Sequence, residues 1–389
     1  MNYIRQHLFV FWLAAIPFVA WRGIFEGAKV AVFWTGSIFL AIKWIFRIKT
    51  EAFEFSKKDR LFLLFIFALG ISSAFGIHPA DSLIGGSYRH QGVIFFFSLW
   101  LVGRSIEFIQ PKYIKLLIAS MGIGAIAQSI LLVVQMLLKD TIPGLLTLNN
   151  RPLGTFGEAN ASAGFISMAA VFFLSYTLSK DKFKHKHFWL VAFTLFSLAG
   201  IIVSQSRTSL LSFLLGLILV LPTFLKKYAL TRVKPFHYLL ASFLSITVVI
   251  SILTVFAISQ KARPVSVFEN RFLFWKIAVI AIKEKPLLGY GAESGEAVYE
   301  LFFSKAGLPL ENLIVDRAHN LILDLAVWSG LLGTASFSTW FIYELRETVK
   351  SKRFYLLPPL LAWLIFAFLQ PLGITHWLFL IIALRTSKE

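Results

Sequence analysis

The chain has 389 residues, 57% apolar and only 15% charged, against roughly 25% charged in a soluble domain; with a mean hydropathy of +0.74, this is a membrane protein, not a soluble enzyme or a disordered tail. It has no cysteine, which excludes disulfides, thiolate metal sites, iron–sulfur clusters and a Cys nucleophile. The net charge of +18 would suggest nucleic acid in a soluble protein, but here it must be read against where the positive residues lie.

A bilayer core about 30 Å thick takes roughly 20 apolar residues per helix. Such runs lie near 6–21, 28–46, 61–76, 92–109, 113–138, 161–179, 188–203, 208–225, 236–259, 319–344, 354–370 and 372–385. The expected fold class is therefore all-α: a polytopic membrane protein of about twelve transmembrane helices, a single membrane domain over 1–389. The last run is short and set off by Pro371, so eleven spans also fit. The first run has a basic start but no small-x-small cleavage site after it, and reads as an uncleaved span. With the N-terminus in the cytoplasm, 24 of the 38 Lys and Arg fall inside. Eight of the other 14 sit in the long segment 260–318, a weak topology signal. Positive-inside anchoring then explains the basic balance. It places both termini in the cytoplasm and argues against nucleic-acid binding.

The inner loops are short and basic, whereas 77–91, 139–160 and above all 260–318 form substantial outer loops. Residues 271–283 (RFLFWKIAVIAIK) predict a helix lying at the membrane interface or packed on the bundle. The working face is thus expected outside the cytoplasm. No nucleotide is supplied there, so an enzyme needs a pre-activated, lipid-linked substrate.

No Asp-x-Asp or Glu-x-Asp pair, His cluster, P-loop or G-x-S-x-G is present. A metal site is therefore not expected. His185 and His187 sit in a basic inner loop and read as solvated. Arg89, in GGSYRHQG, suits a phosphate or sugar contact, or a loop anchor. Gln128 and Gln135 read as interhelical hydrogen bonds. Arg151 precedes a run rich in small residues, with Asn160 as an N-cap. Arg207, in SQSRTSLL at a span boundary, either forks onto phosphate oxygens or snorkels to a headgroup. Arg271 opens the 271–283 helix and invites the same two readings. The glycines at 289, 291 and 295 offer backbone N–H groups to an anion or form an ordinary turn. Asp316, Arg317, His319 and Asn320 bunch where the tenth run begins. His319 there suits a general base near neutral pH, or a helix cap. Asp324, on the face of Asn320 one turn on, suits a structural contact or an orienting role.

Taken together, RPLGTFGEANASAG (151–164), SQSR (204–207), RFLFW (271–275) with PLLGYG (286–291), and AHNLILDLAVWSGLLG (318–333) resemble the O-antigen ligase superfamily. That superfamily includes O-antigen ligases, O-antigen polymerases and bacterial protein O-oligosaccharyltransferases. His319 with Gly330 looks like its His-x10-Gly motif, and Arg207 with Leu211 like its Arg-x3-Leu form. The likeness covers roughly 145–335. One departure is Trp275, where an Arg-x3-Leu motif starting at Arg271 would place Leu.

The resemblance implies metal-independent, cofactor-free glycosyl transfer on the outer face of the cytoplasmic (inner) membrane. The donor would be a glycan on undecaprenyl pyrophosphate; the acceptor, a hydroxyl of lipid A core, a growing glycan or a protein. Arg207 and Arg271 would bind the pyrophosphate and His319 would take the acceptor proton. Arg151, Arg89, Asn320 and Asp324 are secondary candidates. Without a long C-terminal soluble domain, a protein acceptor is less expected. The rival from another class is a flippase or transporter of lipid-linked glycans. It should show two related halves, which the sequence does not display.

Overall fold

The computed structural model describes residues 3–21, 25–50, 54–86, 88–138, 147–148, 151–179, 186–228, 271–306 and 315–386. The apolar run 236–259, His185, and residues 260–270 and 307–314 of the expected outer loop lie outside them. The helices are α1 (Tyr3–Ala15), α2 (Glu26–Thr50), α3 (Lys57–Ala74), α4 (Pro79–Ile84), α5 (Val93–Ile106), α6 (Pro111–Leu138) and α7 (Ala159–Ser179). They continue with α8 (Lys186–Ser204), α9 (Arg207–Tyr228), α10 (Arg271–Glu284), α11 (Gly295–Lys305), α12 (Leu321–Lys350), α13 (Leu357–Leu369) and α14 (Ile374–Arg385). Each of the other eleven apolar runs thus carries a helix. Among the described residues four segments are long and apolar enough to cross a membrane: Glu26–Phe46, Pro111–Leu138, Ala159–Ser179 and Leu321–Lys350. Two-residue strands β1 (Thr147–Leu148) and β2 (Arg151–Pro152) pair antiparallel, Leu148 opposite Arg151.

The chain forms two compact units, one of residues 1–18, 110–264 and 352–366, the other of 19–109, 265–351 and 367–389. In the first, α7 is the centre. It is apolar all round and buried from Ala161 to Leu178, as a helix surrounded by α6, α8 and α9 must be. Small residues allow the approach. A Cβ at Gly122 would meet the Phe173 ring at 2.6 Å, and one at Gly164 the Phe366 ring at 2.5 Å. Hydroxyls bond backbone carbonyls inside this packing, Ser212 to Ala362 at 2.6 Å and Ser175 to Tyr355 at 2.7 Å.

In the second unit α3 packs along α12 and against α5, with α2 and α14 beside α5. The contact is aromatic: Phe62 against Trp340 at 4.5 Å, Phe65 against Phe96 and Phe337 at 5.3 Å, Phe96 against Trp377 at 5.2 Å. One end is closed by buried charges. Ser56 and Asp59 make a capping box for α3. Asp59 accepts from Trp100 at 3.2 Å and pairs with Arg104 at 3.2 Å. Arg104 pairs with Glu107 at 2.7 Å, Glu107 with Lys58 and with Arg385 at 3.0 Å, and Arg385 with Glu344 at 3.2 Å. Buried ions are tolerated here because each has a partner.

Helix α12 is broken once. Gly330 has φ 57° and ψ −162°, a conformation essentially restricted to glycine. The break opens backbone groups that segment 286–291 fills. Leu331 N–H donates to the Pro286 carbonyl at 2.7 Å, Tyr290 N–H to Val327 at 2.9 Å, and Gly291 N–H to Trp328 at 2.8 Å. The Ser72 hydroxyl on α3 donates to the Trp328 carbonyl at 2.6 Å and to that of Leu288.

Candidate active site

The expected site residues fall into two groups, one in each unit. In the first unit Arg151 is held at β2. Its Nε donates to the Ser204 carbonyl at 2.9 Å and its Nη2 to the Asn160 Oδ1 at 2.6 Å. Ser204 ends α8, so the cation sits at the carbonyl-rich, negative end of that helix. Asn160 is inside α7 and receives Arg151; it is not an N-cap. Gln205, at φ 57°, turns the chain sharply from α8 into α9. Ser206 opens α9, accepting from Ser209 N–H at 3.3 Å. Arg207 is the first residue of α9, with its side chain exposed. An exposed cation at the positive end of a helix is suited to an anion. Gln128 and Gln135 grip the neighbouring turn, and Gln128 also reaches from α6 to Pro17, in the 3-10 helix Ile16–Phe18 of the first apolar run, so of the two it makes the expected interhelical bond. Gln135 accepts from Gly154 N–H at 2.8 Å, while Gln128 bonds Thr155 and the Pro17 carbonyl, the latter at 3.3 Å.

The second unit gathers the rest around the start of α12. Asn320 caps that helix, accepting from Ile322 and Leu323 N–H at 3.1 and 3.3 Å. His319, just before it, has φ 58°. Arg89 pairs with Asp316 at 2.6 Å. Arg317 pairs with the buried Glu293, donates to Gln91 at 3.3 Å and lies 3.8 Å from the Trp328 ring centroid. The wholly buried Gln91 is itself fixed, donating to the Leu372 carbonyl at 2.7 Å and accepting from Trp377 at 3.1 Å. Arg271, half-buried at the start of α10, adds its field at the imidazole. Helix α10 buries Phe274, Ile277, Ala278 and Ala281 and packs on α12 and α11. The Phe274 ring lies 6.0 Å from that of His319. The Gly289 and Gly291 N–H groups go to the Lys285 and Trp328 carbonyls, not to an open anion cradle.

The electrostatics follow from burial among cations. Burial pushes the His319 imidazole down to about 4; Asp316 opposes this, and Arg89, Arg271 and Arg317 add to it. The imidazole is therefore neutral at neutral pH, the form that can accept a proton. Burial works to raise Asp316, but Arg89 and Arg317 outweigh it and hold the carboxyl below its ordinary value. Burial raises Glu293 in spite of Arg317 and Arg89. Among the described residues no three His, Asp or Glu side chains form a metal-ligating group.

Gln91 and Glu293 were not anticipated. They lie far apart in sequence and far from Arg317, with no spacing to connect them. The available signal was an acid inside the glycine-rich GYGAESG turn.

This region is also where the chain meets known proteins. Residues 190–338 match the family model described as O-Antigen ligase. The matched stretch is similar to that family. It starts within α8, contains Arg207, Arg271 and His319, and ends within α12. Two relatives from Acinetobacter baylyi are similar over a wider stretch. A general O-oligosaccharyltransferase is 30% identical over 223 residues, 54% of this chain and 38% of that protein. A ComP-specific O-oligosaccharyltransferase is 28% identical over 214 residues, 52% of this chain and 37% of that protein. The matches thus span less than two-fifths of either relative. This likeness and the apolar helices indicate a multi-pass membrane protein.

Proposed function

We propose that the protein transfers a glycan from an undecaprenyl-pyrophosphate carrier to an acceptor hydroxyl, without a metal, on the outer face of the cytoplasmic membrane. The observation that carries this reading is the placement of His319 at the start of α12 among Arg89, Arg271 and Arg317, inside the stretch that matches the O-antigen ligase model. In the proposed step the acceptor oxygen attacks the anomeric carbon and the bond from that carbon to the pyrophosphate oxygen breaks. The acceptor proton passes to His319 and undecaprenyl pyrophosphate leaves. Arg207 and Arg271 hold the pyrophosphate and stabilise the charge it gains, the work a metal does elsewhere. Arg89, paired with Asp316, and Arg151, paired with Asn160, are secondary candidates. About twelve spans with both termini cytoplasmic would put 260–318 and the site outside. The relatives' names favour an oligosaccharide as the transferred group. The acceptor separates ligase, polymerase and protein oligosaccharyltransferase.

The test uses purified protein in detergent with EDTA, a lipid-linked glycan donor and a panel of hydroxyl acceptors, following undecaprenyl pyrophosphate by mass spectrometry. Acceptor-dependent release, abolished in His319→Ala, Arg207→Ala and Arg271→Ala while the proteins stay folded, is the expected result. Full activity of His319→Ala would remove the base; loss of activity with EDTA would remove the metal-free step. Donor binding without release under any acceptor would turn the reading to a transporter.

A further inference from the structure

His319 is a non-glycine residue at positive φ, an arrangement that persists only where its surroundings impose it. Two side chains impose it, and both act on Ala318. The Asp324 Oδ1 accepts from Ala318 N–H at 2.6 Å, and the Trp275 Nε1 donates to the Ala318 carbonyl at 3.0 Å. Ala318 is wholly buried, so neither peptide group has water as an alternative. The first bond fixes the peptide plane between Arg317 and Ala318. The second fixes the plane between Ala318 and His319, about which the imidazole is hung. Trp275 comes from α10 and Asp324 from α12, so the two helices meet at this one residue. Trp275 stands where an Arg-x3-Leu motif starting at Arg271 would have Leu, and a Leu there has no N–H to give.

We infer that Trp275 and Asp324 are positioning residues: they clamp the Ala318 peptide from both sides and thereby set the direction of the His319 imidazole. Neither touches the reacting atoms. The inference rests on His319 being the base, so its test needs a readout that does not depend on transfer. Carbethoxylation of His319 by diethyl pyrocarbonate, quantified by peptide mass spectrometry across pH, provides one. It reports the nucleophilicity and exposure of that imidazole in the full chain without substrate.

Three variants are compared with the parent. Trp275→Phe keeps the ring and loses the N–H. Asp324→Asn keeps an acceptor oxygen, and Asp324→Leu loses it. In Trp275→Phe and Asp324→Leu the His319 modification rate at neutral pH should change at least threefold. Their kcat should fall about fivefold or more, the scale of one lost hydrogen bond, with the donor KM within twofold. Asp324→Asn should restore both towards the parent. Where Asp324→Leu does not fold, Trp275→Phe decides alone. Unchanged His319 modification in Trp275→Phe would overturn the clamp, whatever happens to turnover. Altered modification alongside a fully active His319→Ala would leave the clamp standing and remove the base.

Discussion

Replacing Gly330 by alanine tests the break in α12 directly. The residue sits at φ 57° and ψ −162°, where a Cβ costs about 1–3 kcal/mol in backbone strain. The added Cβ would lie 2.6 Å from Leu288 N and closer still to the Leu287 carbonyl. These are backbone atoms held by hydrogen bonds to α12 and cannot swing aside, so overpacking adds about 1–3 kcal/mol. A combined loss near 3 kcal/mol lowers Tm by roughly 6–12 °C for a domain of 150–250 residues. Gly70→Ala, within α3, is the matched control. Its Cβ would meet only Val93 Cγ1 at 4.0 Å, an ordinary contact, at a glycine with ordinary helical φ. Thermal melts of the detergent-solubilised protein, followed by tryptophan fluorescence, should separate the two variants clearly. If Gly330→Ala melts with Gly70→Ala, the docking of the 286–291 segment does not depend on the break.

His319 should give transfer an acid limb near pH 4, since its neutral form is needed and burial lowers its folded value to about 4; kcat/KM profiles with a limb near 6.5 would contradict this. Because the unfolded imidazole takes up its proton near 6.5 and the folded one only near 4, the folded state loses stability as pH falls between those values, visible as a Tm decline that His319→Gln reduces. Glu293→Gln should cost about 3–5 kcal/mol, because it leaves the Arg317 cation buried without its carboxylate; adding Arg317→Met should recover part of that loss, and strictly additive losses would rule out the pair. Within the first unit, Gly164→Ala, driven into the Phe366 ring, should destabilise by about 1–3 kcal/mol, and a Tm equal to the parent's would show that the close approach is not needed.

Much of this was legible in the sequence where a single physical requirement acts locally. Twenty-residue apolar runs predicted helices, and all those within the described residues carry one. The helix expected over 271–283 is α10, Arg271–Glu284. Asn320 and His319 stand at the start of α12 as their bunching with Asp316 and Arg317 suggested. What the sequence hid was the choice of partner. Asp324 was placed by helical periodicity one turn beyond Asn320, yet its carboxylate reaches back to Ala318 N–H. Gln128 does reach the first apolar run at Pro17, but it and Gln135 also hold the 154–155 turn, where N–H groups would otherwise be left unsatisfied. Gln91 and Glu293 meet Arg317 only through tertiary folding.

The second unit also shows why its polar residues gather at two levels. Asp324 and Glu344 are twenty residues apart on α12, about 30 Å of helix rise, which is the thickness of a bilayer's hydrocarbon core. Between them lie Phe62, Phe65, Phe96, Phe337 and Trp340, with rings in contact. Charges are expensive in that layer, so the Lys58–Asp59–Arg104–Glu107–Glu344–Arg385 cluster closes one end and the Arg89–Asp316 and Arg317–Glu293 pairs the other. At the first end each cation meets a carboxylate and the node balances. At the second, Arg89 and Arg317 pair with Asp316 and Glu293, and Arg271 adds its field to theirs at the His319 imidazole. The two ends therefore differ in kind. One is a closed network that serves to hold helices; the other sets three arginines around a residue that can take a proton. On the function proposed above, a pyrophosphate arriving there would set its negative charge against these cations and raise the His319 pKa towards that of a better base as the reaction begins.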